Sequence, residues 1–311
     1  MADELTGQQI EEARKTRSLP NVRGYSAVLQ DRIRGGRVIP GEKVIRIYVT
    51  NKMPAEALAA GQTIPKEIEG IPVDVVAAEG EFVAQPYTER ERPVRGGWSC
   101  GNEKSQATGT IGCIVSDGRW EGPFSNNHVL ARCSNIEGHK ASLYEGILQP
   151  GALDGGAFPN DIIAFLTKWT DLSIQGINRV DRAMGLFTRN TPFRASIQDI
   201  GLVRGLRVAE VGLKVAKTGR SSGYLEGEVF DTEAFLQVSY GQIIGKALDF
   251  EHQVLIRPSI SIPGDSGSLV LDRDRKAIGL LFAGSPQFTA CNHIADALEG
   301  WDIEIVGAVG G

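Results

Sequence analysis

The stretch Ser261-Ile262-Pro263-Gly264-Asp265-Ser266-Gly267-Ser268-Leu269-Val270-Leu271 places a serine between glycines, on a turn that runs directly into an apolar strand. Small neighbours leave the Ser266 hydroxyl reachable, and the flanking glycines let backbone N–H groups converge beside it. A serine hydroxyl is a weak nucleophile by itself. It needs a base to accept its proton and donors for the oxyanion that forms on attack. A tight turn between two strands would also produce this motif, so its meaning rests on what accompanies it.

A base is offered by Phe124-Ser125-Asn126-Asn127-His128-Val129-Leu130-Ala131, where a strand gives way to a turn or short helix. The other histidines, His139, His252 and His293, lack that strand-then-turn setting, although His293 lies in an apolar run. A base of this kind works best beside a carboxylate that orients its ring and stabilises its charged form. Two aspartates among small and apolar residues qualify, Asp181 in Asn178-Arg179-Val180-Asp181-Arg182-Ala183-Met184 and Asp161 in Asn160-Asp161-Ile162-Ile163. Asp181 is preferred, because the longer gap after His128 leaves room for a hairpin between base and orienter.

The composition fits an ordinary soluble globular protein. The chain has 311 residues, 41% hydrophobic and 23% charged, a length that suggests about two domains. A net charge of -5, not gathered in one block, provides no footprint for nucleic acid or an anionic membrane. No run of about 18 apolar residues appears, and Met1 to Arg17 lacks the apolar centre of a secretory signal. A cytoplasmic protein is expected. Four scattered histidines and four cysteines without close pairing imply neither a metal site nor a cofactor. Cys113 and Cys133 bracket His128 and are expected to be free thiols in a reducing compartment.

The periodicity divides the chain. Thr6 to Arg17 reads as an amphipathic helix stopped by Leu19-Pro20-Asn21, and Tyr25–Leu29, Val44–Val49 and Val73–Val76 read as strands separated by turns such as Gly35-Gly36. This is a small α+β domain. The charged, proline-bounded segment from Pro86 to Gly97 has the composition of an exposed connector, which sets the expected boundary near residue 92. From Pro93 to Gly311 the sequence is glycine-rich, with short β-prone runs at 110–115, 208–215, 228–230, 254–256 and 278–282 and a helix near Ala295–Glu299. A mostly β domain follows.

Together, the order His128, Asp181, Ser266 and the surroundings of each resemble the chymotrypsin-fold, trypsin-like serine peptidases over roughly Gly97 to Trp301. Subtilisin-like and α/β-hydrolase enzymes order their triads differently. The resemblance implies two six-stranded antiparallel β-barrels in residues 93–311, preceded by the α+β domain of residues 1–92. It also implies a serine endopeptidase acting on protein or peptide, with amides of Gly264 and Ser266 as the oxyanion hole. Ile260, Phe282, Ala283 and Gly284 would then line the substrate pocket, where no carboxylate falls, favouring a small or medium apolar side chain. The segment Ile64 to Val75 is similar to the leading domain of bacterial peptidases related to the plant narrow-leaf peptidases. Residues 1–92 are thereby a candidate site for a regulatory partner, and a catalytically silent scaffold or adaptor is the alternative reading. Two departures stand out. Ser268 occupies a glycine position of the family, and no Ile-Val-Gly-Gly-type activation terminus precedes the barrels to engage Asp265. That aspartate must find another partner.

Overall fold

The computed structural model describes residues 4–19, 21–26, 28–34, 37–50, 63–77, 87–136, 138–240 and 243–308. Pro20, Ala27, Gly35-Gly36 and Pro86, which figure in the expected turns, strand and connector, lie outside the described residues. The chain divides into two compact units, Met1–Ala84 and Gln85–Gly311.

In the first unit a helix spans Gly7–Lys15. It starts where Thr6 and Gln9 cap one another, the Thr6 side chain accepting from the Gln9 amide and the Gln9 side chain from the Thr6 amide. The sheet beside it joins Val22–Tyr25, Arg37–Val49, Ile71–Ala77 and Glu67–Ile68 in that order, with Gln30–Arg34 paired to the long strand. The long strand and Ile71–Ala77 run parallel, Ile45 opposite Val73 and Ile47 opposite Val75. Leu5, Ala13, Val22, Ile45, Ile47, Val49 and Ile68 form its apolar interior.

The second unit is built of two curled β layers and a small three-stranded sheet of Gly201–Leu202, Phe193–Ile197 and Val94–Gly96. In the first, an eight-stranded sheet is ordered Glu304–Ile305, Cys113–Ser116, Glu121–Ser125, Ala183–Phe187, Ile162–Trp169, Gly146–Leu148, Ser99–Asn102 and Thr108–Thr110. The second is a closed six-stranded barrel of Lys214–Gly219, Gly223–Ser239, Ala247–Arg257, Thr289–His293, Ala277–Gly284 and Leu269–Asp272. The expected mostly β, chymotrypsin-like double barrel preceded by a small helix-bearing unit is the observed architecture, with six strands in the second half and eight in the sheet of the first, where six were expected. Its first half recruits a strand from the far C-terminus, Glu304–Ile305 pairing with Cys113–Ser116. Closure removes the exposed strand edges of the second half.

Local expectations fare unevenly. The 110–115 run is two strands, broken at Ile111-Gly112 where Gly112 packs against the Gly267 carbonyl. The 208–215 run is largely irregular, and its strand begins only at Lys214. Val208 and Val211 are exposed and Gly212 has φ +86°, so alternation of apolar residues there marks a connection between the halves rather than a half-buried strand. The last helix spans Ile294–Leu298.

Apolar residues from both halves meet in one interior that includes Val115, Phe124, Met184, Leu269, Leu280 and Trp301. Arg182 fastens the C-terminal helix to this seam. Its guanidinium donates to the carbonyls of Asp296 (3.1 Å), Ala297 (3.0 Å) and Glu299 (2.9 Å) and lies 4.1 Å over the Trp301 ring. The last carbonyls of a helix have no partner within it, so a cation there satisfies both hydrogen bonding and the helix dipole. Burial pushes the Arg182 guanidinium down to about 10, against the carboxylates of Glu299 and Asp296. Arg182→Met, which keeps the apolar stem and removes the donors, is expected to lower stability by about 3 kcal/mol in urea denaturation.

Candidate active site

His128 sits in the single helical turn Asn127–Leu130, immediately after the strand Glu121–Ser125. Asp181 precedes the strand Ala183–Phe187, which pairs with that same strand through Ser125 and Ala183. Adjacent strands of one sheet thus bring together residues 53 positions apart in sequence. The His128 Nδ1 and Asp181 Oδ2 are 2.5 Å apart, and the His128 backbone amide donates to Asp181 Oδ1 at 3.2 Å. The carboxylate is fully buried. Burial alone would push its pKa up. The charge and hydrogen bonds of His128, with a further hydrogen bond from Tyr240, outweigh burial and hold Asp181 below its ordinary value.

Asp161, the alternative carboxylate, bonds elsewhere, to the Ala157 amide (3.0 Å) and Arg90 (3.3 Å). The other histidines are also committed elsewhere: His139 to the Arg132 carbonyl, His252 to Glu233, and His293 to the Thr232 carbonyl.

Ser266 comes from the second barrel, on the turn before Leu269–Asp272. The first half grips this turn. The Thr110 amide donates to the Ser266 carbonyl (2.8 Å), and the Thr110 hydroxyl donates to the Gly264 carbonyl (2.9 Å). Gly109 marks how closely the two segments approach: a Cβ there would lie 2.5 Å from Val129 Cγ2 and 2.7 Å from the Ser266 carbonyl oxygen. Val129 follows His128 in sequence, so the histidine turn and the serine turn flank one glycine. Gly267 has φ +95° and presses against the Ser125 hydroxyl and the Thr110 carbonyl, leaving no room for a side chain. The Ser266 hydroxyl is half-buried and reaches the Phe282 carbonyl at 3.4 Å, a long and weak contact. Amides of Asp265, Gly267 and Ser268 donate within the protein, whereas among the described residues those of Gly264 and Ser266 have no protein acceptor.

Asp265 finds its partner in Lys217, one strand away in the barrel. Both side chains are completely buried, with Nζ 3.1 Å from Oδ2. The amides of Ser221 (2.9 Å), Ser222 (3.1 Å) and Ile262 (3.0 Å) and the Ser222 hydroxyl (2.5 Å) complete the carboxylate's hydrogen bonds. Burial pushes the Lys217 ammonium down, opposed by Asp265. This ion pair anchors the residue next to Ser266 from inside the barrel.

Of the four residues expected to line a substrate pocket, Ile260 and Phe282 are buried at 1% and 3% exposure. Ile260 belongs to the second barrel's interior, and Phe282 packs 4.7 Å from the Phe250 ring. Ala283 is partly exposed and Gly284 exposed. A Cβ at Gly284 would lie 2.5 Å from the Ser261 hydroxyl.

Three polar residues that the sequence did not single out also bear on the site. Tyr240 donates to Asp181 Oδ2 at 2.7 Å. Asn292 accepts from the Asp181 backbone amide at 2.9 Å and donates to Gln253 at 2.8 Å. Gln253 in turn holds the Arg179 carbonyl at 2.8 Å. Asn292 and Gln253 are both fully buried polar residues on apolar strands, a mismatch with strand patterning that was the available signal.

No family model and no curated protein matches the chain. Solved structures do. Protease A of Thermobifida fusca aligns with 15% identity over 69% of this chain and 98% of its own, at a TM-score of 0.50. A chymotrypsin of Cellulomonas bogoriensis aligns with 16% identity over 69% and 98%, also at 0.50. A glutamic-acid-specific serine protease described as using a histidine triad in substrate binding aligns with 15% identity over 68% and 100%, again at 0.50. The fold of the second unit is therefore that of chymotrypsin-like serine proteases.

Two outcomes follow from the buried charges. Lys217→Met strands the Asp265 carboxylate in the barrel and is expected to cost about 3–5 kcal/mol, read by chemical denaturation. Because Asp181 is held below its ordinary value, the stability it contributes is fully present above about pH 4 and is lost as pH falls through the lowered value. Acid unfolding of Asp181→Asn, followed by circular dichroism between about pH 5 and 2, is expected to be less steep than that of the unsubstituted protein.

Proposed function

We propose that the chain is a serine endopeptidase with a His128-Asp181-Ser266 triad. The observation that carries this reading is the contact between His128 Nδ1 and the fully buried Asp181 carboxylate, on a turn that shares Gly109 with the Ser266 turn. With Nδ1 committed to the carboxylate, Nε2 is the nitrogen left to accept a proton.

Ser266 Oγ attacks the peptide carbonyl carbon while Nε2 takes the hydroxyl proton. The carbonyl oxygen becomes an oxyanion, received by the amides of Gly264 and Ser266. Collapse breaks the C–N bond, His128 returns its proton to the departing amine, and the acyl group stays on Ser266. Water, deprotonated by His128, then releases the acid and restores the serine. Asp181 stays ionised and stabilises the imidazolium formed in each half.

The substrate is a protein or peptide. Beside Phe282-Ala283-Gly284, where Ser261 closes in on Gly284, the accepted side chain is small or medium and apolar. On the same reading the protein is a cytoplasmic bacterial enzyme, the leading domain expected over residues 1–92, whose compact unit ends at Ala84, receives a regulatory partner, and the Lys217–Asp265 pair supports the serine turn without proteolytic activation.

A fluorophosphonate probe is expected to label the protein, with labelling abolished in Ser266→Ala and reduced by at least about a hundredfold in His128→Ala. Labelling that survives Ser266→Ala would overturn the assignment. Absence of labelling in the unsubstituted protein would favour a silent peptidase-fold adaptor.

A further inference from the structure

We propose that Tyr240 is a positioning residue of this site: its hydroxyl, delivered by the long hairpin of the second barrel, holds the Asp181 carboxylate in the orientation from which it aligns His128. The proposal rests on Asp181 being the residue that orients the histidine.

The two hairpin strands, Gly223–Ser239 and Ala247–Arg257, pair from Glu228 opposite Arg257 out to Ser239 opposite Ala247. Tyr240 stands directly at the end of the first. Its ring is 5% exposed, meets the His128 ring edge to face at 5.6 Å and stacks on Phe250 at 6.2 Å. Phe250 continues the contact to Phe282, whose carbonyl faces the Ser266 hydroxyl. One aromatic file therefore links the carboxylate, the base and the strand beside the serine.

Packing alone would be served by phenylalanine. A buried phenol is costly unless its hydroxyl is bonded, and this hydroxyl donates to Asp181 Oδ2, the same oxygen that faces His128 Nδ1. Oδ1 is taken by the His128 amide. With donors on both oxygens, the carboxylate plane has one satisfied orientation. Tyr240 is suited to this task because burial and the neighbouring carboxylate push its phenol well above its ordinary value, which keeps the proton on oxygen. Among the described residues, the titratable groups facing Asp181 are His128 and Tyr240, with the Cys133 thiol of the adjoining loop acting at longer range.

The hairpin's placement is fixed independently of the hydroxyl. The Asn178 amide donates to the Asp249 carbonyl (2.9 Å), and the Glu251 amide donates to the Asn178 carbonyl (3.0 Å). Leu248 and Phe250 pack with Cys133, Ile136 and Leu172 of the first half. Removing only the hydroxyl leaves all of these contacts, so its effect can be read separately.

The experiment compares Tyr240→Phe and Tyr240→Leu with the unsubstituted protein, following the rate of fluorophosphonate labelling against pH and the low-field His128 Nδ1 proton by NMR. Loss of a hydrogen bond to a charged group is expected to slow labelling by about tenfold in Tyr240→Phe. The acid limb of the profile, which reports protonation of the His128 base, should move to higher pH, because a carboxylate with one donor fewer favours the charged imidazolium, and the Nδ1 resonance should shift. Tyr240→Leu should be no slower than about twofold below Tyr240→Phe. Tyr240→Phe with an unchanged rate, pH profile and resonance overturns the proposal, as does a defect confined to Tyr240→Leu, which would mark the ring as packing. If the unsubstituted protein is not labelled at all, the peptidase reading fails, while the resonance comparison still decides the role of Tyr240.

Discussion

The structure of the second unit turns on one buried charge. An ionised carboxylate removed from water is costly unless surrounding donors replace the lost hydration. At Asp181 the donors come from two places: the ring and amide of His128 in the first half, and the hydroxyl of Tyr240 in the second barrel. Asn292, also from the second barrel, accepts from the Asp181 backbone amide. The two halves are thus joined at this carboxylate, and satisfying it and fixing the His128 ring are the same physical event.

Asp265 repeats this logic on the serine side. Its carboxylate is buried against Lys217, with three amides and a hydroxyl closing the shell. A buried pair of this kind is weak evidence for stability but strong evidence for a defined geometry, because few arrangements satisfy every atom. The serine turn is further confined by Thr110, which holds the carbonyls on either side of Asp265. Both buried aspartates therefore act as fixed points, one beside His128 and the other next to Ser266 in sequence.

Much of this was legible in the residues. The glycine-flanked serine and the histidine at a strand end are local signals, set by the backbone freedom of glycine and the change from a strand to a single helical turn. Asp265 announced a missing counterion because a carboxylate beside a buried turn requires one, but its identity did not follow. Lys217 lies in Val215-Ala216-Lys217-Thr218-Gly219, where alternation alone assigns a lysine to solvent as readily as to an interior pair. The 208–215 run misled for a related reason: valines at Val208 and Val211 look like strand residues, yet both side chains are exposed.

By itself the sequence determined the β-rich class of the second unit, the short helices and the kinds of chemical group available, because turn chemistry and side-chain alternation depend on near neighbours. It also ordered His128, Asp181 and Ser266 along the chain. Tertiary structure decided which aspartate meets His128, since Asp161 and Asp181 have similar local settings and differ only in strand pairing. It also decided the roles of Tyr240, Asn292 and Lys217. Tyr240 lies 59 residues from Asp181, and Lys217 lies 48 from Asp265. A buried carboxylate selects its donors by distance in space, and barrel closure rather than sequence spacing sets that distance.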